Sequence, residues 1–396
     1  MDDDASAASE DDARAWVALA LAGARDTTPW LQLARMLGGA SAVVHSSDSE
    51  LRQAGASAQA VARLREAWSR RSARVIAECD RRAIGIATFT SCDYPALLRP
   101  LTDPPLVLYW RGQTPATCGP AVAVVGSRRC SDYGRRTAQR IGCDAAERGI
   151  VVVSGLARGV DAAAHRGALE GGRTAAVLAG GLERIYPGEH RGLADRIVAG
   201  GGWLMSEQPP GHGPRPWLFP HRNRILTGLA LATVVVEAGQ RSGSLASARH
   251  ALTQGRDVLA VPGPIDAPLC AGTNTLLRQG AGPYLAVEDL GVAPGLAELV
   301  AAKGAGSVQN ALKDEWLDDA EAACVVAALE LGPLGLDALL EATALDGTRV
   351  LALLTALELA GLVERRAAGA YAAAPRGRDA PCPQRRRGGS GSGRDP

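Results

Sequence analysis

The feature that most constrains what this chain can fold into is a series of continuous apolar runs, each closed by glycine, serine or arginine. Ala121 to Val125 (AVAVV) runs into Gly126-Ser127-Arg128-Arg129. Ile150 to Val153 runs into Ser154-Gly155-Leu156-Ala157-Arg158-Gly159, and Thr174 to Leu178 into Ala179-Gly180-Gly181. Between them, Arg135 to Arg148 and Val160 to Glu170 carry helical patterns ended by Gly149 and by Gly171-Gly172. Further strand-like runs follow at Trp203 to Met205, Thr233 to Val236 and Asp257 to Ala260. Strands that are apolar on both faces must be covered on both faces. Alternating with helices, they predict an α/β fold built on a doubly wound parallel sheet. Such sheets bind ligands at the C-terminal ends of their strands.

The loops at those ends have the chemistry of an anion site. Glycine lets the backbone turn sharply and approach a ligand closely. Each loop opens a helix, so free N–H groups and the positive end of the helix dipole face one crevice. Arg128 and Arg158 add charge, and Ser127 and Ser154 add hydroxyl donors. Any one such loop is also what a plain tight turn looks like; three in register predict a phosphate site. Neither G-x-G-x-x-G nor a Walker sequence occurs, which argues against a standard dinucleotide site or a nucleotide-triphosphate engine. Two more segments extend the pattern. Phe219-Pro220-His221-Arg222-Asn223-Arg224 sets arginines beside an aromatic ring, a combination that can stack a base and hold its backbone, although taken alone the segment reads better as a core ring with solvated arginines. Val236-Glu237-Ala238-Gly239 leads to Ser242-Gly243-Ser244 and another helix start.

Charge agrees with an anionic partner. The chain is nearly neutral at +1, yet Ala121 to Leu285 holds 19 arginines against 12 carboxylates, a net +7. Lysine occurs only at Lys303 and Lys313, so the cations are guanidinium forks suited to phosphate, although a compositional bias would give the same skew. The acidic start MDDDASAASEDD is not a signal or transit peptide, and no apolar run nears membrane-spanning length. Eight cysteines without a C-x-x-C pair fit neither a zinc site nor a disulfide framework, and Cys130 and Cys143 read as packing residues. A reduced, cytoplasmic protein without metal or cofactor is expected. His165, four residues after Asp161, reads as one half of a structural hydrogen bond.

The flanks differ from the centre. Residues 1–75 read as a small helical domain, from WVALALAG, WLQLARMLGG and VARLREAW, and the text from about Arg74 to Gly119 as short strands and proline-rich turns. The α/β domain is placed at 76–290 and an Ala/Gly-rich linker at 291–314. Residues 315–374 read as three helices (Leu317 to Leu331, Leu336 to Thr343, Asp346 to Leu359) and a hairpin, a winged helix. Its second and third helices are poor in positive charge, with Arg349 nearly alone, which suits protein contact better than DNA reading. Residues 375–396 read as a disordered basic tail containing Arg385-Arg386-Arg387.

In order, VAVVGSRRCSDYG, VVVSGLARGVDAAAHRGAL, AVLAGGLERIYPGEH, LMSEQPPG, FPHRNRILTGLA, VVVEAGQRSGSLASARHAL, GRDVLAVPG and AGTNTLLRQGA resemble the DNA-processing protein A (DprA/Smf) family over about Tyr94 to Tyr284. The upstream CDYPALLRPLTDPPLVLYWRG is similar too. The resemblance implies an extended Rossmann-like core, a sterile-alpha-motif-like (SAM-like) N-terminal domain and a C-terminal winged helix. It implies a homodimeric, non-enzymatic recombination mediator that binds and protects single-stranded DNA during natural transformation and loads the RecA recombinase. Carried over by motif, Ser127 and Arg128 would touch backbone phosphates. Gly155, Arg158 and Gly159, with Gly180 and Gly181, would line the adjoining pocket. Phe219, Arg222, Asn223 and Arg224 would extend the groove, and Ser242, Gly243 and Ser244 would close it. Tyr133, Tyr186 and Phe219 are the rings available for stacking. Glu183, His190 and Ala232 depart from the residues commoner at their positions, which bears on the phosphate register. Two rival readings stand beside this one. One is a nucleoside-monophosphate phosphoribohydrolase using Glu237 as acid, although GQRSGSL replaces that group's P-G-G-x-G-T-x-x-E. The other is a winged-helix regulator with a sensory α/β domain.

Overall fold

The computed structural model describes residues 2–23, 26–117, 119–301 and, beyond them, 320–330, 334–343, 345–359, 363–365 and 370–373. Residues 1–303 form one compact unit and residues 304–396 a second.

The first unit opens with α1 (Asp2–Gly23), α2 (Thr28–Leu37), α3 (Ala40–His45), α4 (Asp48–Gln53) and α5 (Ala58–Glu66). A π turn, Ala67–Arg71, runs directly into α6 (Ser72–Arg81). The helical segment thus continues six residues past the boundary expected at 75, because Cys79 is buried against the same core as Leu64 and Ala67. Two serine caps stop the chain from fraying between helices: Ser47 and Ser57 accept from the amides of Glu50 and Ala60.

The sheet follows: β1 (Gly85–Thr88), β2 (Val107–Gly112), β3 (Ala121–Val125), α7 (Asp132–Glu147), β4 (Val151–Ser154), α8 (Val160–Gly171), β5 (Thr174–Leu178), α9 (Arg191–Ala199), β6 (Trp203–Ser206), α10 (Leu218–Gly228), β7 (Ala232–Val235), α11 (Ser244–Thr253), β8 (Asp257–Ala260), α12 (Ala271–Arg278) and β9 (Gly282–Pro283). The spatial order is β1-β2-β6-β5-β4-β3-β7-β8-β9. From β6 to β9 every pairing is parallel, as expected. β2 and β1 add an antiparallel edge beyond β6, so the whole sheet is mixed. The chain winds from β3 outward to β6, then returns to place β7 on the other side of β3. That reversal opens a crevice at the carboxyl ends of β3 and β7. One sheet face packs Val122, Val124, Val152 and Val234 against α7 and α8; the other packs Ala123, Val153 and Val235 against α10 and α11.

The segment expected as a linker begins as a helix, α13, over 294–301. It follows a 3-10 turn (Val287–Val292) and buries Leu296 and Val300 against the α7 side of the sheet. The remainder of that linker, and the basic tail with Arg385 to Arg387, lie outside the described residues. The second unit holds α14 (Ala320–Glu330), α15 (Leu336–Thr343), α16 (Gly347–Leu359) and an antiparallel hairpin of β10 (Val363–Arg365) and β11 (Tyr371–Ala373). Val325, Leu339, Leu353, Leu357 and Val363 form its core. Three helices and a hairpin match the winged-helix expectation. No described helix is long and apolar enough to cross a membrane.

Candidate nucleic-acid interface

A cleft of about 790 Å³ lies at the switch point between β3 and β7. Its floor is Gly126 and Ser127, where the Ser127 amide donates to the Glu237 carbonyl at 2.7 Å and ties the two strand exits together. The loop then turns into α7 through a cap: Ser131 Oγ accepts from the Gly134 amide at 3.1 Å. Glu237 fixes this turn with both carboxylate oxygens. Oε2 accepts from the Ser131 amide at 2.9 Å and Oε1 from the Ser131 hydroxyl at 2.5 Å. At 2% exposure Glu237 is a buried brace for the loop, with both carboxylate oxygens engaged by Ser131.

The brace presents Arg128 and Arg129, both exposed. The Arg128 guanidinium lies 4.8 Å above the Phe219 ring, and Phe219 meets Tyr186 edge-on at 5.6 Å. A cation over an aromatic step offers a stacked base and an adjacent phosphate partners in the same place. Arg241 stands exposed on the opposite wall, next to Ser242, Gly243 and Ser244, where Ser242 Oγ and Ser244 Oγ are 2.7 Å apart. Among the described residues, Arg128, Arg129 and Arg241 have no carboxylate within ion-pair distance.

Deeper in, Arg222 is 6% exposed and donates Nη1 to the Val177 carbonyl, while its Nε has no partner among the described residues. Burial pulls its pKa down to about 10, with Asp161 opposing, so it stays a cation at neutral pH. Burial pushes the Asp161 carboxyl up, against the pull of Arg222 and of two backbone amides. Those amides belong to Gly155 and Ala157, at 3.1 and 3.3 Å, so Asp161 shapes the β4–α8 loop.

Of the residues singled out in the sequence, Ser127, Arg128, Phe219, Arg222, Asn223, Ser242, Gly243 and Ser244 all line this cleft. The others are placed differently. Arg224 points to the far side of α10, where Nε holds Asp103 at 2.9 Å and Nη2 holds Glu207 at 2.7 Å. Residues two apart on a helix face nearly opposite ways. Gly155 sits beneath Arg222, whose guanidinium occupies the space a Cβ would need. Gly159, at φ +76°, lets the β4–α8 loop cross the Ser127 and Arg128 backbone. Gly180 and Gly181 are covered by the 209–214 segment, and the Gly181 amide donates to the His212 carbonyl at 2.8 Å. Arg158 borders a smaller annex of about 200 Å³ with Arg128 and Tyr186, and it grips Glu189 at 2.8 and 2.7 Å. Tyr133 is exposed at the start of α7, beside Pro262, and outside the cleft. His165 bonds Thr174 Oγ1 at 2.7 Å rather than Asp161, and the Thr174 hydroxyl donates to the Val152 carbonyl at 2.6 Å. Arg129, Arg241 and Ser247 line the cleft although the motifs did not mark them as contacts; for Arg241 the signal was its place one residue before Ser242.

The family model described as DNA recombination-mediator protein A matches residues 85–293. The chain belongs to this family. A second model, the DprA winged helix domain, matches 311–369. The chain is 39% identical over 219 residues to DNA processing protein DprA of Bacillus subtilis, covering 55% of this chain and 73% of that one. It is 47% identical over 190 residues to Protein Smf of Escherichia coli, covering 48% of this chain and 50% of the relative. The X-ray structure of DNA processing protein A from Streptococcus pneumoniae superposes with a TM-score of 0.61 at 31% identity, over 69% of this chain and 94% of that one. The cleft, from Val125 to Leu269, falls wholly inside the region matched by the family model.

Proposed function

We propose that the β3–β7 cleft binds single-stranded DNA and that the protein, as a homodimer, hands the strand to the RecA recombinase. The observation that carries the reading is the grouping of unpaired Arg128, Arg129 and Arg241 around the Tyr186–Phe219 step. Three separate guanidinium groups and two rings are more than a mononucleotide uses, and they suit a run of phosphates with unstacked bases. A duplex keeps its bases stacked and hides their faces from Phe219. The family membership supports the mediator role, and the occupied carboxylate of Glu237 argues against the nucleotide-hydrolase alternative.

The test is a fluorescence-anisotropy titration of an oligothymidylate over a range of salt. The log–log salt slope should be about −0.7 per phosphate neutralised. Arg128→Ala and Arg129→Ala should each weaken binding and make the slope shallower by about 0.7. Phe219→Ala should weaken it by about 1–3 kcal/mol, the worth of one stacked base. A double Arg128→Ala, Arg129→Ala variant that binds like the wild type with the same slope would sink the assignment. Recombinase delivery is read separately, as filament assembly on a strand already coated by a single-strand-binding protein.

A further inference from the structure

On the other face of α10 lies a second cavity of about 350 Å³, walled by the N-terminal helices on one side and by β2, the exit of β6 and the 208–217 segment on the other. Three buried polar atoms on residues that line it have no partner among the described residues: the Tyr109 hydroxyl, on a residue 1% exposed, Nη1 of Arg224, on a residue 2% exposed, and Nδ1 of His212. Buried polar groups in folded proteins are almost always satisfied, by protein or by partners from outside the chain, and these atoms are placed to receive such partners, water or ligand. The nearby acids are already engaged. Glu207 places Oε1 on Arg224 at 2.7 Å and Oε2 on His221 at 3.3 Å, and Asp103 holds Arg224 Nε at 2.9 Å. The buried phenol stays protonated, because burial lifts its pKa well above the ordinary value.

The mouth carries more cations than acids: the exposed Asp26 also lines it, with its Oδ1 accepting from the Thr28 amide at 2.9 Å. Arg71 and Arg215 are exposed there with no ion-pair partner among the described residues, and Arg63 gives only Nε to the Ala22 carbonyl at 3.1 Å. Between mouth and interior the wall is apolar, with Leu21, Leu106, Pro209 and Trp217. An apolar wall with convergent donors at its depth and guanidinium groups at its rim selects a ligand with a flat acceptor-bearing body and an anionic end. The volume is at the small end for ligand pockets and admits a single unit of that kind. We propose that this cavity binds one nucleoside monophosphate, free or as the terminal nucleotide of a strand. The site is separate from the β3–β7 cleft and does not depend on the reading of that cleft.

Calorimetric titration of the full chain with deoxyadenosine monophosphate, inorganic phosphate, and an oligonucleotide with or without a 5′-phosphate tests it. Saturable binding of the mononucleotide is expected. It should weaken about fivefold in Tyr109→Phe, the cost of one neutral hydrogen bond, and about tenfold in Arg215→Ala, the cost of a charge-assisted one, and be unchanged in Arg128→Ala. Arg215 is exposed, so its variant reads binding without disturbing the core. Free mononucleotide binding that the oligonucleotide does not displace identifies a free ligand. A preference for the 5′-phosphorylated strand that Tyr109→Phe removes identifies a strand end. The proposal is overturned if none of these probes binds saturably outside the cleft. It also fails if phosphate alone matches the mononucleotide, or if Arg128→Ala abolishes binding while Tyr109→Phe and Arg215→Ala keep it.

Discussion

At the scale of single residues, the cleft shows how two arginines in one motif come to do unlike work. Arg222 and Arg224 are two positions apart in FPHRNR. Once α10 forms, one faces the cleft and the other is locked between Asp103 and Glu207. Removing Arg224 leaves the half-exposed Asp103 without its cation and the partly buried Glu207 with His221 alone. Arg224→Ala should therefore cost about 1–3 kcal/mol of stability in urea denaturation, while the folded protein keeps its salt slope for DNA. Arg158 is a different case. Its bidentate grip on Glu189 is half exposed, so a phosphate entering the annex competes with a carboxylate already in place. Glu189→Gln should release the guanidinium, tighten strand binding a few-fold and steepen the salt slope by about 0.7. Unchanged affinity and slope in that variant would show that the annex does not hold the strand.

At the scale of elements, the β4–α8 unit couples a loop to a buried histidine. Gly159 enters α8 at φ +76°, against the Ser127 carbonyl. Gly159→Ala should cost about 1–3 kcal/mol and weaken DNA binding with it, because the strain displaces the β3–α7 and β4–α8 loops together. Six residues on, His165 is fully buried, and burial, reinforced by Arg222, His190 and Arg166, holds its pKa down to about 3. The unfolded chain protonates this ring near 6.5, whereas the native fold refuses the proton. Its contribution to stability is complete above pH 6.5 and is lost as pH falls from there toward 3. Burial would raise Glu207, but Arg224 and His221 outweigh it and bring the carboxyl down to about 2, which adds a second loss below about pH 4.5. Denaturant midpoints should thus decline with acid from pH 6.5. His165→Gln should flatten the decline between 6.5 and 4.5, and an equal slope in that variant would assign the pH dependence elsewhere.

At the scale of the whole molecule, the helices from α1 to α6 are part of the first unit's core rather than an appendage. Trp16, Leu19, Trp30 and Leu64 belong to the same apolar cluster as Leu106, Tyr109, Ile197 and Leu204. A chain ending at Lys303 should unfold in one transition and bind strand with the full chain's salt slope. A chain lacking residues 1–81 should lose stability or aggregate, since it exposes that face of the sheet edge. Differential scanning calorimetry and sedimentation would measure both, and equal melting temperatures with and without residues 1–81 would contradict the shared core.

Much of the fold was legible because short-range rules govern it. Strands such as AVAVV, buried on both faces, admit only a covered parallel sheet, and the glycine and serine that end them mark where the crevice must open. Ser127, Arg128 and Ser242, marked by those loops, and Phe219, marked by the family resemblance, line that crevice. The antiparallel edge of β1 and β2 was harder to read, since GIAT and VLYWRG are short and broken by proline turns. Which cations stay free depended on partners distant in the chain: Glu189 lies 31 residues from Arg158, and Asp103 lies 121 from Arg224. The sequence by itself determined a doubly wound sheet with a cationic, glycine-lined crevice, because periodicity and backbone freedom are local properties. Only the tertiary structure decided which guanidinium groups face that crevice and which are spent on carboxylates, because pairing and burial arise from residues that meet only when the chain is folded.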